Sequence, residues 1–344
     1  MHNFRRKSCF STPYFVNLQK LCLALVLFAS FLLFEGCRAT QQANQNGSQP
    51  TPSPAPAVAF DGQRAFEHVR KQVEFGARPS GSVELAKTRD YIVGQLHSYG
   101  LNITTDEFTP QTPVGVKKMI NITAELPGES TDVIIISSHY DTKLFKEFTF
   151  VGANDAGSST GALLELARVL AASGKKPRFT YWFVFFDGEE AFCKEWDECK
   201  NNGEPDNTYG SRRFVAQLKQ KNEVKRARAM ILLDMIGYKE LLLGRDLELS
   251  TKWLVDVIWD TASELGFGQK FIATDEGVGS DDHEPFLRAG IDSVDLIQIR
   301  TYPFWHTAAD TLDKISPESL KTVGDVVLAS LPRIEQRLSG KSSN

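Results

Sequence analysis

Apolar positions along this chain switch repeatedly between helical and extended spacing. SVELAKTRDYIVGQLHSYG (82–100) carries its apolar residues at helical spacing and ends on Gly100, a suitable C-cap. Extended segments follow at 103–108 and 117–125. DVIIISSHYD (132–141) holds a continuous β-branched run, the mark of a strand buried on both faces. GSSTGALLELARVLAAS (157–173) predicts an amphipathic helix opened by Ser and Thr caps. A strand at 179–186, a helix at 209–218, a strand at 229–236, a helix at 252–265, a strand at 292–297 and a helix at 317–338 complete the order. This alternation predicts an α/β sandwich around a central, mostly parallel sheet, with no internal repeat and no division into two domains.

The N-terminus follows another regime. Arg5, Arg6, Lys7 and Lys20 precede a charge-free, mostly apolar run of 14 residues, Leu21 to Phe34, too short for an ordinary membrane span. Residues 1–37 therefore read as an export signal. Cys37 after Gly36 resembles the lipidation site of a bacterial lipoprotein, with an uncleaved anchor or an ordinary cleaved signal as alternatives. Residues 38–58, rich in Gln, Asn, Ser and Pro, have almost nothing apolar to bury and read as a disordered tether. The remaining residues, 59–344, form the predicted folded domain.

Composition narrows the function. With 42% hydrophobic and 24% charged residues the chain is globular. Its formal charge of −4, with no basic stripe outside the extreme N-terminus, argues against nucleic acid as a partner. Only Cys193 and Cys199 remain in the body once the leader is set aside. Spacing alone leaves their pairing open.

The candidate chemistry sits where strands are predicted to end, the place ligands occupy in open α/β sheets. His139 and Asp141 close one strand, and Asp155 precedes a helix. Glu189 and Glu190 follow a third element in WFVFFDGEEAF (182–192), and Asp234 closes another. Asp281, Asp282, His283 and His306 lie in later loops. Carboxylates converging in one place repel unless cations screen them. Mixed histidine and carboxylate donors without thiolate suit zinc in an open, catalytic site better than calcium or magnesium. The adjacent Glu189 and Glu190 fit a division in which one binds metal and the other moves protons.

Ordered along the chain, HYDT (139–142), GANDAGSSTGALLELAR (152–168), FFDGEEAF (185–192), YGSRRF (209–214), LLDMIG (232–237), DDHEPFLRAGI (281–291) and WHTAADTLDKI (305–315) resemble the M28 zinc peptidase superfamily. Within it they look most like the glutaminyl-peptide cyclotransferase branch, over roughly residues 60–340. The resemblance implies a three-layer α/β sandwich with a mixed, mostly parallel sheet. It implies zinc ligands at Asp155, Glu190 and His306, a general acid/base at Glu189, and second-zinc candidates at His139 and Asp234.

Ligand identity alone does not separate cyclase from aminopeptidase. Asp281 matches a cyclase carboxylate that would share protons with Asp234 and Glu189, and Lys143, Trp196 and Trp305 match positions around the cyclase substrate pocket. Asp295 departs from the pattern, standing where animal cyclases have histidine. RTYPF (300–304) offers Tyr302 or Phe304 for a displaced pocket aromatic. The implied activity is cyclisation of N-terminal glutamine to pyroglutamate with release of ammonia, using one zinc. The alternative is an exported aminopeptidase with two. Expected partners are peptide or protein N-termini, and a membrane only through lipid on Cys37. The protein is expected to act as a monomer in the periplasm or cell envelope, or secreted.

Overall fold

Six strands build the central sheet: β1 (Asn102–Phe108), β2 (Met119–Leu126), β3 (Val133–His139), β4 (Thr180–Phe186), β5 (Ala227–Asp234) and β6 (Ser293–Ile297). They lie in the order β1-β2-β4-β3-β5-β6. Pairings β1–β2 and β2–β4 are antiparallel and the other three parallel, so β2 alone runs against the rest. This is a computed structural model, which describes residues 58–201 and 203–341. The predicted signal, the lipidation candidate Cys37 and all of the tether but Val58 lie outside those residues.

Among the described residues, seven helices flank the sheet: α1 (Gly62–Phe75), α2 (Val83–Ser98), α3 (Gly157–Ala172), α4 (Tyr209–Gln220), α5 (Lys252–Glu264), α6 (Glu284–Arg288) and α7 (Pro317–Lys341). The strands show why the β-branched runs lack alternation. Ile134 and Ile136 of β3 join the core formed with α1, α2, α3, α5 and α7, whereas Val133 and Ile135 join the core formed with α4 and α6. Both faces are covered, so every position is apolar until the strand reaches its carboxyl end.

That end is where the chain changes direction. From β3 it passes through α3 to β4 on one side, then through α4 to β5 on the other side of β3. Right-handed crossovers in opposite directions put α3 and α4 on opposite faces and open a crevice at the carboxyl end of β3. In register, His139 lies beside Phe186, and Asp234 beside Ile297, so four strands discharge their following loops at one edge.

The structure departs from the sequence reading at several places. Helix α1 is capped by Asp61, whose carboxylate accepts from the Gln63 and Arg64 amides. Ser158, Ser159 and Thr160 do not cap α3, because Ala156 holds the N-cap position without a side-chain bond. Instead Thr160 Oγ1 donates to the His139 carbonyl at 2.8 Å, and Ser138 Oγ donates to Ser159 Oγ at 2.8 Å. These hydroxyls fasten the helix start to the end of β3. A small parallel pair, Leu243–Arg245 with Phe271–Asp275, was also not foreseen.

Helices α1 and α3 cross at Gly161, where an added Cβ would meet the Ala65 carbonyl oxygen at 2.7 Å and Val69 Cγ2 at 2.9 Å. Gly94 on α2 is exposed, and a Cβ there would meet nothing within 4 Å. Gly161→Val is therefore expected to lower unfolding free energy by about 2–3 kcal/mol through overpacking. Gly94→Ala is expected to raise it by about 0.5–1 kcal/mol by reducing backbone freedom in the unfolded chain. Denaturant titration of both variants checks the opposite signs.

Candidate metal and catalytic site

The loops at the sheet's carboxyl edge bring Asp155, Glu190 and His306 together. His306 Nε2 lies 3.4 Å from Asp155 Oδ2 and 3.3 Å from Glu190 Oε2. Donors about 2.0–2.1 Å from a tetrahedral ion are separated by ~3.3 Å, so this spacing fits zinc. Glu190 Oε2 is buried with no hydrogen-bond partner, while its other oxygen accepts from the Lys143 amide at 3.0 Å. A buried carboxylate oxygen without a donor calls for a cation. A second group meets the same spacing: His139 Nε2 is 3.3 Å from both Asp155 Oδ1 and Asp234 Oδ1. Asp155 belongs to both groups.

The backbone is bent to deliver these donors. Of the five described non-glycine residues with positive φ, three lie at this site: Ala156 (φ 68°), Met235 (φ 45°) and His306 (φ 54°). They follow Asp155, follow Asp234 and form a donor, respectively. Such strain persists only where the surroundings over-determine it, and it concentrates at functional sites.

Asp310 holds the Asp155 turn in place. Its carboxylate accepts from the Asn154 amide at 2.8 Å, the Asp155 amide at 3.1 Å and the Tyr302 hydroxyl at 2.6 Å. Asp141 does the same for the glutamate loop, accepting from the Glu189 amide at 3.2 Å and the Glu190 amide at 3.4 Å. Arg78, fully buried, donates to the carbonyls of Tyr140, Val151 and Gly152, and its charge also faces Asp310, Asp155 and Asp141. Burial lowers its pKa only to about 10, so it stays a cation beside the acids. Asp310 lay within a quoted motif without a role, and Arg78 gave no signal, because both act through backbone groups contributed by distant parts of the chain.

Beside the metal triad lies a proton-handling group. His139 Nδ1 is 3.5 Å from Glu189 Oε2, and its Nε2 faces Asp234, so the imidazole stands between the two acids. Burial opposes charge on His139, but Glu189 and Asp234 raise its pKa well above the usual value. Burial, reinforced by Glu190 and Asp281, pushes Glu189 well above the glutamate range despite attraction from His139. Burial and Asp281 likewise push Asp234 up to about 7, although His139 opposes them. Asp281 is itself raised by burial, and the neighbouring Asp295 is raised well above the aspartate range by burial and by the negative charge of Asp281.

These groups open onto a pocket of about 220 Å³. Asp155, Glu189, Glu190, Asp234, Asp281 and His306 supply its polar wall, and Trp196, Trp305, Met235, Val278, Ile297 and Ile299 its apolar wall. Trp305 stacks on His306 with ring centres 4.3 Å apart and is 40% exposed. Lys143 and Phe304 do not line the pocket. Lys143 is buried, and its ammonium donates to the carbonyls of Ala191 and Cys193. Phe304 packs edge-on against Tyr238 and Tyr302, behind the apolar wall. Cys193 and Cys199 are disulfide-bonded, with Cα atoms 6.1 Å apart, which settles a pairing the spacing left open.

Asp310→Ala leaves all three triad side chains in the chain but frees the Asn154 and Asp155 amides. It is expected to weaken zinc binding by about 10–100-fold, measured by competition with a chromogenic chelator.

The chain matches peptidase family M28 over residues 121–331. It is 30% identical over 296 residues to a glutaminyl-peptide cyclotransferase of Dictyostelium discoideum, covering 71% of this chain and 78% of that protein. It is 32% identical over 234 residues to an aminopeptidase of Bacillus subtilis, covering 65% of this chain and 44% of that one. The solved glutaminyl cyclase of an Acidobacteriales bacterium superposes with a TM-score of 0.75 at 34% identity, covering 84% of this chain and all of that one. Motifs, fold and site geometry thus agree with these relationships, and the chain belongs to peptidase family M28.

Proposed function

We propose that this protein is a zinc-dependent glutaminyl-peptide cyclotransferase, converting N-terminal glutamine of peptides to pyroglutamate with release of ammonia. The observation that carries the reading is the buried Glu189–His139–Asp234 row, with Asp281 close by, beside a metal triad in a small pocket walled by Trp196 and Trp305. The cyclotransferase relatives and the solved cyclase support it.

Asp155, Glu190 and His306 would hold one zinc. Bound there, zinc supplies Lewis acidity toward the γ-carbonyl and offsets negative charge developing on its oxygen. His139, an imidazolium between Glu189 and Asp234, takes the place a second ion would occupy. Glu189 accepts a proton from the substrate's α-amine as the nitrogen forms its bond to the carbonyl carbon (Cδ) of the side-chain γ-carboxamide. It then returns that proton to the departing side-chain nitrogen, so that the C–N bond breaks and ammonia leaves. Asp281 raises the proton affinity of the Glu189 carboxylate, keeping it suited to both transfers, and Asp234 holds the far side of the His139 imidazole. Trp196 and Trp305 offer apolar surface to the substrate's side-chain methylenes and exclude water that would compete with the amine.

A second reading rests on the matching separations around His139, Asp155 and Asp234. With a second zinc there, the same glutamate would activate water and the protein would be an aminopeptidase. The N-terminal pattern supports export, with Cys37 as a lipid-anchor candidate, and the Cys193–Cys199 disulfide supports an oxidising compartment. We read the protein as a monomer acting on soluble peptide or protein N-termini.

Mass spectrometry of a Gln-leading and a Leu-leading peptide incubated with the zinc-loaded protein tests the reading. Loss of ammonia from the first, with the second untouched, is expected, whereas release of leucine contradicts it. Glu189→Gln is expected to lower kcat by about 10²–10⁴-fold with zinc retained. The pH profile carries a sign. Glu189 works deprotonated, so kcat/KM falls as pH drops through its raised pKa. Asp281→Asn removes a neighbouring negative charge that raises that pKa. The acid limb of kcat/KM is therefore expected to move to lower pH in this variant, and an upward shift would contradict the assignment.

A further inference from the structure

Trp196 reaches the pocket from an unusual support. It stands midway between Cys193 and Cys199, which are joined by a disulfide six positions apart. Lys194, Glu195, Asp197 and Glu198, its ring neighbours, are exposed, and none of the loop's residues belongs to a hydrophobic core. The loop is polar and solvated, yet it holds one large apolar side chain against the metal and proton groups. Trp196 Nε1 is buried there with no partner, a donor free for an acceptor on a bound ligand.

The two roots of the loop are fastened to the rigid edge of the sheet. Asp206 accepts from the Phe192 amide at 2.9 Å and the Cys193 amide at 2.8 Å, and its own amide donates to the Cys199 carbonyl at 3.2 Å. Lys143 Nζ donates to the Cys193 carbonyl at 3.1 Å, while the Lys143 amide donates to the metal-triad residue Glu190. Between the roots the non-covalent ties are few: the Asn207 side chain, whose Nδ2 donates to the Trp196 carbonyl at 3.0 Å, and contacts between Glu195 and Glu198. With none of its residues in a hydrophobic core to offset the entropy of ordering this segment, covalent closure is what limits its freedom.

We infer that Cys193 and Cys199 are positioning residues for Trp196, so that the disulfide tunes substrate binding and leaves the metal triad and the proton-transfer groups intact. The inference rests on the reading of this pocket as the substrate site. It makes the enzyme's KM, and not its kcat or zinc content, depend on thiol oxidation.

The test compares steady-state kinetics and zinc content of wild type, Cys193→Ser/Cys199→Ser, Trp196→Ala and the triple variant on a Gln-leading peptide. Wild type reduced after folding and capped with iodoacetamide gives the same opened loop without relying on refolding of a variant. Opening the loop by either route is expected to raise KM about tenfold with kcat within about twofold and zinc unchanged. The triple variant is expected to be no worse than Trp196→Ala, because both changes remove one interaction. A KM within about twofold of wild type after capping overturns the inference, as does a triple variant in which the two losses add. Release of leucine in place of cyclisation would sink the cyclase reading alone, since the same comparison on the Leu-leading peptide still decides the role of the disulfide.

Discussion

Too many carboxylates share the carboxyl edge of this sheet for all of them to carry charge unaided. Asp155, Glu189, Glu190, Asp234 and Asp281 are all buried around one pocket. At an effective dielectric of ~20, two like charges about 4 Å apart repel by ~4 kcal/mol, so several such pairs exceed the net stability of a domain. The molecule answers with a graded set of positive charges. Arg78 is built in, His139 and His306 interleave the acids, and the geometry around His306 fits a metal ion. Where no cation reaches, a proton stays: burial and its acidic neighbours, Asp281 first, keep Asp295 neutral well above the usual aspartate range.

This electrostatic demand explains the architecture around it. Hydroxyls on the first turn of α3 anchor that helix to β3, left-handed residues turn Asp155, Asp234 and His306 inward, and Asp310 and Asp141 spend their oxygens on backbone amides of the ligand loops. The result is a rigid polar edge. The apolar wall facing it comes from other material: Trp305 on the His306 loop, Trp196 on a cross-linked surface loop, and Met235, Val278 and Ile297 supported by the Tyr302 and Phe304 cluster.

Much of this was readable in the chain. The strands announced themselves because burial on both faces leaves long apolar runs, and His139, Glu189, Glu190 and Asp234 because they stand at or just past the carboxyl end of such a run, whereas Asp155 and His306 lie in loops and were marked by the motifs around them. What escaped reading depends on contacts distant in sequence. Lys143 looks like a pocket cation by position, but its ammonium is committed to two carbonyls about fifty residues away. Phe304 supports the wall without joining it, and Ser159 and Thr160 have capping chemistry that tertiary contacts redirect to β3. The roles of Arg78 and Asp310 lie in backbone groups that only the folded loop presents.

If His139 and Asp234 serve the proton side, one zinc per chain is enough for turnover. The decisive measurement strips the protein of metal and restores zinc in measured equivalents while following turnover of a Gln-leading peptide. Activity complete at one equivalent per chain, and not increased by a second, is the expected result. Activity that appears only as the second equivalent binds would contradict the account and assign His139 and Asp234 to metal.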